Sequence, residues 1–191
     1  DLAEQRLILL AIVEARESGK ENNTNNQLVV HAETYARQFN VHKNTAYTTL
    51  KNACNALFLR QFSYEEKNSK NIEYIKSRWV SEIRYIENEA VVKLIFSPAV
   101  VPLITRLEEH FTKYELGQIS RLSSAYAIRL YELLIAWRSA GKTPILELVE
   151  FREKLGVNKT DYAIISDLKK RVLDISVKQI SEHTDITVEY Q

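Results

Sequence analysis

A helix predicted for residues 44–58 separates apolar side chains from polar ones. Projected at about 100° per residue, its apolar stripe consists of Ala46, Leu50, Ala53 and Leu57. The opposite face carries no acid, although the chain has 25 acids, and it presents Asn44, Thr48, Lys51, Asn52 and Asn55, flanked by Lys43 and Tyr47. Amide, hydroxyl and ammonium donors suit the base edges and phosphates of DNA. A solvated polar face or a dimer contact would use the same residue types.

A second helix, predicted for about residues 164–181, carries cations where the first carries amides. Its core-facing positions are Ile165, Leu168, Val172 and Ile175. Its other side presents Lys170, Arg171 and Lys178, with Lys169 at the border. Arg171 is best placed for a bidentate contact with guanine, because its planar fork matches two acceptors on that base. Asp167 and Asp174 share this face, so a salt-bridged, solvated helix is the alternative.

Two further groups of polar and basic residues lie close to these helices. The turn that enters the second helix contains Asn158, Lys159, Thr160 and Tyr162, which we expect to contact backbone phosphates. A β region over residues 60–96 carries Lys67, Lys70, Lys76 and Arg78, where a wing would meet phosphates or the minor groove.

Catalytic and metal-binding patterns are not supported by the residue spacing. The four histidines, His31, His42, His110 and His183, are far apart and form no H-E-x-x-H motif. Gly141-Lys142-Thr143 resembles the end of a phosphate loop, but Ala136 stands where that loop needs glycine, so we predict that Gly141 caps a helix. Cys54 lies on or beside the apolar side of its helix and is expected to be a buried thiol. We therefore predict no enzyme activity, no metal and no cofactor.

The overall composition narrows the class of protein without identifying a partner. The 26 Lys and Arg residues nearly cancel the 25 acids, so any basic surface must come from local placement. A single cysteine excludes an internal disulfide framework. The longest apolar run, Leu7–Val13, is too short to cross a membrane. We expect a cytoplasmic protein, and the absence of any methionine, including one at position 1, suggests a processed or trimmed chain.

The elements that must position these residues occur in the same order twice. Helix, short strand, helix, tight turn, helix and β-strands are predicted in each half, and Tyr35, Phe39 and Val41 match Phe151, Leu155 and Val157 at an offset of 116 residues. Helix–turn–helix followed by a β-hairpin is the winged-helix plan. We predict an α+β, mostly helical fold of two tandem winged-helix domains, residues 1–117 and 118–191.

Other elements are predicted from local patterns. Short strands are expected at residues 27–30, 143–146 and 186–190. Residues 60–96 should form a β-hairpin or a three-stranded meander, with a charged loop at 65–71 and a tight turn at 87–89. The apolar stretches Leu7–Val13 and Val91–Phe96 suit a dimer face or an aggregation-prone strand.

Three segments of the chain resemble the iteron-binding replication initiators of plasmids. They are residues 124–134 (SAYAIRLYELL), 167–173 (DLKKRVL) and 2–7 (LAEQRL). The first string is the most specific of the three, and the similarity spans essentially the whole chain. The resemblance implies two winged-helix domains, with sequence recognition mainly in the C-terminal one, through Lys169, Lys170 and Arg171. It implies DNA backbone contacts and dimerisation for the N-terminal domain, and a second C-terminal wing strand that this sequence lacks.

The resemblance also implies a function. Such initiators bind tandem direct repeats at a plasmid origin as monomers, open the duplex and recruit host replication proteins. As dimers, many repress their own gene at an inverted repeat. A dimeric transcriptional repressor without an initiator role, and a scaffold that uses winged helices to dock proteins, are the alternatives. Within residues 124–134, we expect Arg129 and Glu132 to form a surface or interdomain pair.

Overall fold

The computed structural model describes residues 1–17, 27–68, 71–104 and 113–191. Its contacts divide the chain into Ala3–Leu116 and Gly117–Gln191, which we call the N-terminal and C-terminal domains. The fold is of the predicted α+β class, mostly helical with small antiparallel sheets, and each domain contains a helix–turn–helix.

The N-terminal domain starts with three helices and one short strand. They are α1 (Leu2–Glu17), β1 (Leu28–His31), α2 (Ala32–Phe39) and α3 (Lys43–Leu59). The predicted stripe of α3 is buried, with Ala46, Leu50, Ala53 and Leu57 each 2% exposed or less. Burying one leucine side chain stabilises a fold by about 1.5–3 kcal/mol. This stripe therefore fixes the rotation of α3 and turns its polar face outward.

Four further strands form two separate hairpins. They are β2 (Gln61–Lys67), β3 (Ile72–Arg78), β4 (Val80–Ile86) and β5 (Val91–Phe96). Strands β2 and β3 pair with each other, whereas β5 lies between β1 and β4 in an antiparallel sheet. The predicted turn at Glu87–Glu89 joins β4 to β5. Of the two expected forms, a β-hairpin or a three-stranded meander, the hairpin is found, and it occurs twice. The charged loop is shorter than predicted because strand pairing continues to Lys67↔Ile72.

The two apolar stretches predicted to suit a dimer face lie in the core of this domain. Leu7 and the segment Leu9–Val13 are at most 3% exposed, as are Val91, Val92, Leu94 and Phe96. The dimer-face alternative was wrong for these side chains, because α1 and β5 bury them within the domain itself. The alternative of an aggregation-prone strand stays a prediction.

The C-terminal domain is built mainly from helices. After α4 (Lys113–Ile119), at the domain boundary, come α5 (Ala125–Ile135), a 3₁₀ turn (Arg138–Ala140), α6 (Leu148–Leu155), α7 (Ile165–Leu168), a π-helical turn (Lys169–Leu173) and α8 (Asp174–His183). We call residues 165–183 the C-terminal helix. Gln179 Oε1 accepts hydrogen bonds from the backbone N–H groups of Ser123 and Ser124, at 3.0 and 3.2 Å. These bonds hold the start of α5 against α8.

The strands predicted at 143–146 and 186–190 do not form in the C-terminal domain, all of which the structure describes. Pro144 cannot donate a backbone hydrogen bond, and Ile145 is 99% exposed. The alternation of residues 186–190 is real, since Ile186 and Val188 are half-buried while Thr187 and Glu189 are exposed. Without a neighbouring strand, this sidedness does not produce a β-ladder.

The internal repeat is visible at the C-terminal ends of α2 and α6. Asn40 and Gly156, 116 residues apart, both adopt left-handed backbone, at φ 51° and 72°. The N–H of Val41 bonds to the carbonyl of Ala36 at 3.0 Å, and that of Val157 to the carbonyl of Arg152 at 2.9 Å. This is the Schellman cap. Asparagine and glycine are the residues that tolerate left-handed backbone best, so both helix–turn–helix units start their turn alike.

Candidate nucleic-acid interface

The outer face of α3 is exposed and rich in side-chain donors. The imidazole of His42 caps the helix, accepting the N–H of Asn44 at 3.3 Å. The exposed polar residues are Asn44, Thr48, Asn52 and Asn55. Tyr47, predicted to flank this face, is half-buried, and its hydroxyl is enclosed without a hydrogen-bond partner among the described residues. The face therefore presents amides and a hydroxyl to solvent.

Both cations predicted on α3 are paired with acids from other elements. Lys43 Nζ lies 3.0 Å from Glu33 Oε1 of α2. The Lys43 ammonium lowers the pKa of the Glu33 carboxyl through this hydrogen bond and through its charge. Lys51 Nζ lies 3.1 Å from Glu87 Oε1, in the β4–β5 turn, and 5.2 Å from the centre of the Tyr85 ring. Each lysine would have to exchange a carboxylate for a phosphate in order to bind DNA.

The β2–β3 hairpin places its cations on one exposed face. Because residues paired directly across an antiparallel ladder share a face, the pairs Ser63↔Lys76 and Lys67↔Ile72 lie on the same side. Tyr74, on that side too, is 77% exposed. The opposite side is half-buried and holds Phe62, Tyr64 and Ile75. Lys70 lies outside the described residues.

Arg78 lies on the same exposed face of the hairpin, but it is bonded to α3. Its Nη1 donates to the carbonyl of Phe58 at 3.0 Å, and its guanidinium lies 5.7 Å from the Phe58 ring centre. Arg78 therefore anchors the hairpin to the end of α3, whereas Lys67 and Lys76 have exposed side chains available for phosphates.

The C-terminal helix contains a π-helical turn that changes which residues face the core. The N–H of Asp174 bonds to the carbonyl of Lys169, five residues earlier, so this turn holds one residue more than an α-helical turn. The buried stripe consequently runs through Leu168, Val172, Ser176 and Ile180. Ile175, predicted to face the core, is 44% exposed because the extra residue shifts the stripe to Ser176. Ile165 is 48% exposed, because α5 packs mainly against the π turn and α8.

The four cations predicted on this helix, Lys169, Lys170, Arg171 and Lys178, are all exposed. Arg171 Nε lies 3.8 Å from Asp167 Oδ1, and Lys178 Nζ lies 3.9 Å from Glu182 Oε1. Exposed pairs this long contribute at most about 0.5 kcal/mol each, so both cations can leave their acids at little cost.

Tyr190 covers the start of this cationic surface. The Lys169 ammonium lies 5.6 Å from the centre of the Tyr190 ring. The hydroxyl of Tyr190 donates to Asp174 Oδ1, and this hydrogen bond raises the pKa of the phenol. Asp174 was predicted to share a face with the cations. In the structure, its carboxylate accepts a hydrogen bond from Tyr190. Among the described residues, no hydrogen bond or cation–π contact joins Tyr190 to Lys170 or Arg171 of the π turn.

The turn before the C-terminal helix is held by a residue that the sequence analysis did not single out. Arg152 of α6 donates to the backbone carbonyls of Asn158 at 2.8 Å, Tyr162 at 3.0 Å and Asp161. Asn158 and Lys159 are exposed at this turn, and Tyr162 is half-buried. The sequence signal was an arginine one turn before a helix-capping glycine, which by itself is common.

Sites for other chemistry are not seen in the described part of the chain. No group of three or more His, Cys, Asp or Glu side chains there could hold a metal ion. Cys54 is buried, as predicted, and burial raises the pKa of its thiol to about 12. Gly141, at φ 68°, caps the 3₁₀ turn after α5, which supports the helix-cap interpretation over a phosphate loop. None of the described helices combines the length and the hydropathy that spanning a membrane requires.

Arg129 and Glu132, predicted to pair, lie one turn apart on α5. Arg129 is exposed, and no hydrogen bond between the two is found among the described residues. Burial raises the pKa of the Glu132 carboxyl to about 7, and the charge of Arg129 only partly opposes this.

Solved structures provide two comparisons. The WH1 domain of MSBI1.176, a replication protein isolated from a multiple sclerosis patient, is 61% identical; it covers 60% of this chain and 87% of its own, with a TM-score of 0.55. The Pi initiator protein in complex with iteron DNA is 22% identical, covers 98% of this chain and 88% of its own, and has a TM-score of 0.65. The second likeness shows a common fold that extends over both domains.

Curated sequences and family models agree with these structures. A replication initiation protein of Escherichia coli is 26% identical over 57% of this chain, and an uncharacterized 27.6 kDa protein of the same organism is 23% identical over 82%. The chain spans 33% and 64% of their respective lengths. Residues 1–135 match the model of the initiator replication protein WH1 domain, and residues 147–191 match that of the WH2 domain. The two matches cover most of the chain, which therefore belongs to the initiator replication proteins with tandem WH1 and WH2 winged-helix domains.

Proposed function

We propose that this chain binds tandem direct repeats at a plasmid origin as a monomer and thereby starts replication. The observation that carries this proposal is the exposed cluster Lys169-Lys170-Arg171, in the π turn of a domain that matches the initiator WH2 model. A helix with exposed cations fits the major groove, where an arginine fork can pair with guanine. The Pi initiator, solved with iteron DNA, shares this two-domain fold and supports the choice of ligand.

The exposed side chains of the two domains suit different DNA contacts. In the C-terminal domain, Lys170, Arg171 and Lys178 would contact the groove, and Asn158 and Lys159 the adjacent phosphates. In the N-terminal domain, the cations of α3 are already paired with Glu33 and Glu87. Its contribution would therefore come from the α3 amides and from Lys67 and Lys76 of the hairpin, which track the backbone without selecting a base.

A second candidate function is repression of the chain's own gene by a dimer bound to an inverted repeat. Strand β4 lies at the edge of the β1–β5–β4 sheet, with no further strand beside it in the described part of the chain. An edge strand of this kind can pair with the same strand of a second copy. The N-terminal domain would then hold two C-terminal domains on opposite half-sites.

Sedimentation velocity with labelled duplexes separates these functions. We expect one chain per direct repeat at low protein concentration, and two chains per inverted repeat at higher concentration. Complexes containing only dimers, on either duplex and at every concentration, would contradict the monomeric initiator and leave repression as the function. The failure to form any complex whose stability falls with salt would contradict both and favour a protein-docking scaffold.

A further inference from the structure

The turn that leads into the C-terminal helix is three times as long as its counterpart in the N-terminal domain. Nine residues, 156–164, connect α6 to α7, whereas three residues, 40–42, connect α2 to α3. The long turn contains Tyr162 at φ 50°, a left-handed backbone that bulky residues rarely adopt. Such a conformation persists only where the surroundings impose it.

Arg152 supplies that constraint. Its guanidinium bonds to the carbonyls of Asn158, Asp161 and Tyr162 at once, and thus closes the turn onto α6. Hydrogen bonds from a charged donor are stronger than neutral ones, and the planar fork fixes the angles between the three carbonyls. The Asn158 amide adds a bond to Asp161 Oδ2 at 2.7 Å. In the N-terminal domain the residue equivalent to Arg152, 116 positions earlier, is Ala36. The turn there is only three residues long and needs no side chain to close it.

We propose that Arg152 is a positioning residue for DNA recognition, which rests on the function proposed above. It binds no base itself, but it holds Asn158, Lys159 and Tyr162 in one geometry beside the first turn of the C-terminal helix. The phosphate contacts of this turn are then organised before DNA arrives, so that binding does not have to order a nine-residue loop.

Hydrogen exchange of the full chain, measured without DNA, tests whether Arg152 holds the turn in one conformation. In Arg152→Lys the charge remains, but a single ammonium cannot reach all three carbonyls. We expect backbone amides of residues 157–163 to exchange at least about fivefold faster, with the amides of α5 unchanged. Lys154→Met, which removes a cation from the same helix and its pair with Glu150, is the matched control and should leave the turn unchanged. Unaltered exchange in Arg152→Lys would overturn the proposal, whatever the DNA measurements give.

Binding measurements then test the consequence for recognition. Arg152→Lys should weaken binding to a duplex of direct repeats and to a scrambled duplex alike, by about tenfold, because the contacts that Arg152 organises are made to phosphates. No loss on either duplex, or a loss confined to the repeats, would overturn this positioning role. If the wild-type chain itself shows no preference for the repeats, the proposed function fails, while the exchange experiment still decides whether Arg152 holds the turn.

A double-mutant cycle checks the mechanism and covers the case of a poorly folded single variant. Tyr162→Gly relieves the left-handed strain, because glycine adopts positive φ freely. The effect of Arg152→Lys on turn exchange should therefore be smaller in the Tyr162→Gly background than in the wild-type background. An effect of the same size in both would show that Arg152 does not act by imposing this backbone conformation.

Discussion

Replacing Arg171 by alanine should remove a base contact and leave the fold intact. The Arg171 side chain is 67% exposed, and its nearest acid in the described chain, Asp167, is 3.8 Å away. An exposed pair one helical turn apart stabilises a protein by at most about 0.5 kcal/mol. Alanine also has a slightly better helix propensity than arginine. We therefore expect the free energy of unfolding to change by less than about 0.5 kcal/mol.

The expected loss of affinity is much larger than this change in stability. A bidentate arginine–guanine contact discriminates by about 1–3 kcal/mol. Since about 1.4 kcal/mol corresponds to a factor of ten, the dissociation constant for the repeat duplex should rise by about 5- to 150-fold. Arg171→Lys keeps the charge but loses the fork, so it should lose most of the discrimination and retain most of the salt dependence.

Fluorescence anisotropy with a set of duplexes makes the measurement base by base. Each G·C pair of the repeat is substituted in turn. At one of these positions, the substitution should leave the dissociation constant of Arg171→Ala unchanged, while it weakens binding by the wild-type chain. Lys142→Ala, at an exposed lysine outside the predicted DNA-contacting set, serves as the control for loss of one charge. Equal losses of Arg171→Ala on repeat and scrambled duplexes would refute the base contact and reduce Arg171 to a phosphate ligand.

Three further predictions concern the fold and its ionisable groups. Ser176→Lys should lower the free energy of unfolding by more than about 2 kcal/mol because Ser176 is buried; Ile175→Lys should cost much less, and the reverse order by chemical denaturation would refute the π turn. Native Cys54 should react with a thiol reagent at pH 8 on the order of a thousandfold more slowly than the unfolded chain, since its pKa is about 12 rather than 9; equal rates would refute its burial. The raised pKa of Glu132 means that the folded state favours the protonated carboxyl, so unfolding free energy should fall by up to about 3 kcal/mol as pH rises from about 4.5 through 7; Glu132→Gln should abolish this fall in pH-dependent denaturation, and an unchanged slope would contradict it.

Most of the helical framework was predictable because its signals are local. The stripe of α3 follows a 3.6-residue period, Gly141 and Gly156 end their segments with left-handed backbone, and the offset of 116 residues returns as a matched pair of caps at Asn40 and Gly156. Periodicity and capping each depend on residues that lie within one or two helical turns of each other. Both signals can therefore be recognised in a single sequence.

The errors arise where distant residues decide the outcome. The acids that pair with Lys43 and Lys51 come from positions 10 and 36 residues away along the chain, so the apparently acid-free face of α3 has paired cations. A projection that assumes 3.6 residues per turn cannot predict the π turn. Because of this turn, Ser176 rather than Ile175 is buried in the core. The predicted strand at 186–190 had the right alternation, but a strand needs a partner that alternation cannot supply.

We have proposed that this chain recognises direct repeats by their base sequence. The most direct test is the anisotropy of the wild-type chain with a duplex of the direct repeats upstream of its own gene and with a scrambled duplex, at low and physiological salt. We predict a preference for the repeats of about 10³-fold or more at physiological salt. Equal, weak and steeply salt-dependent binding to both duplexes would mean that only phosphates are contacted, and would contradict the claim.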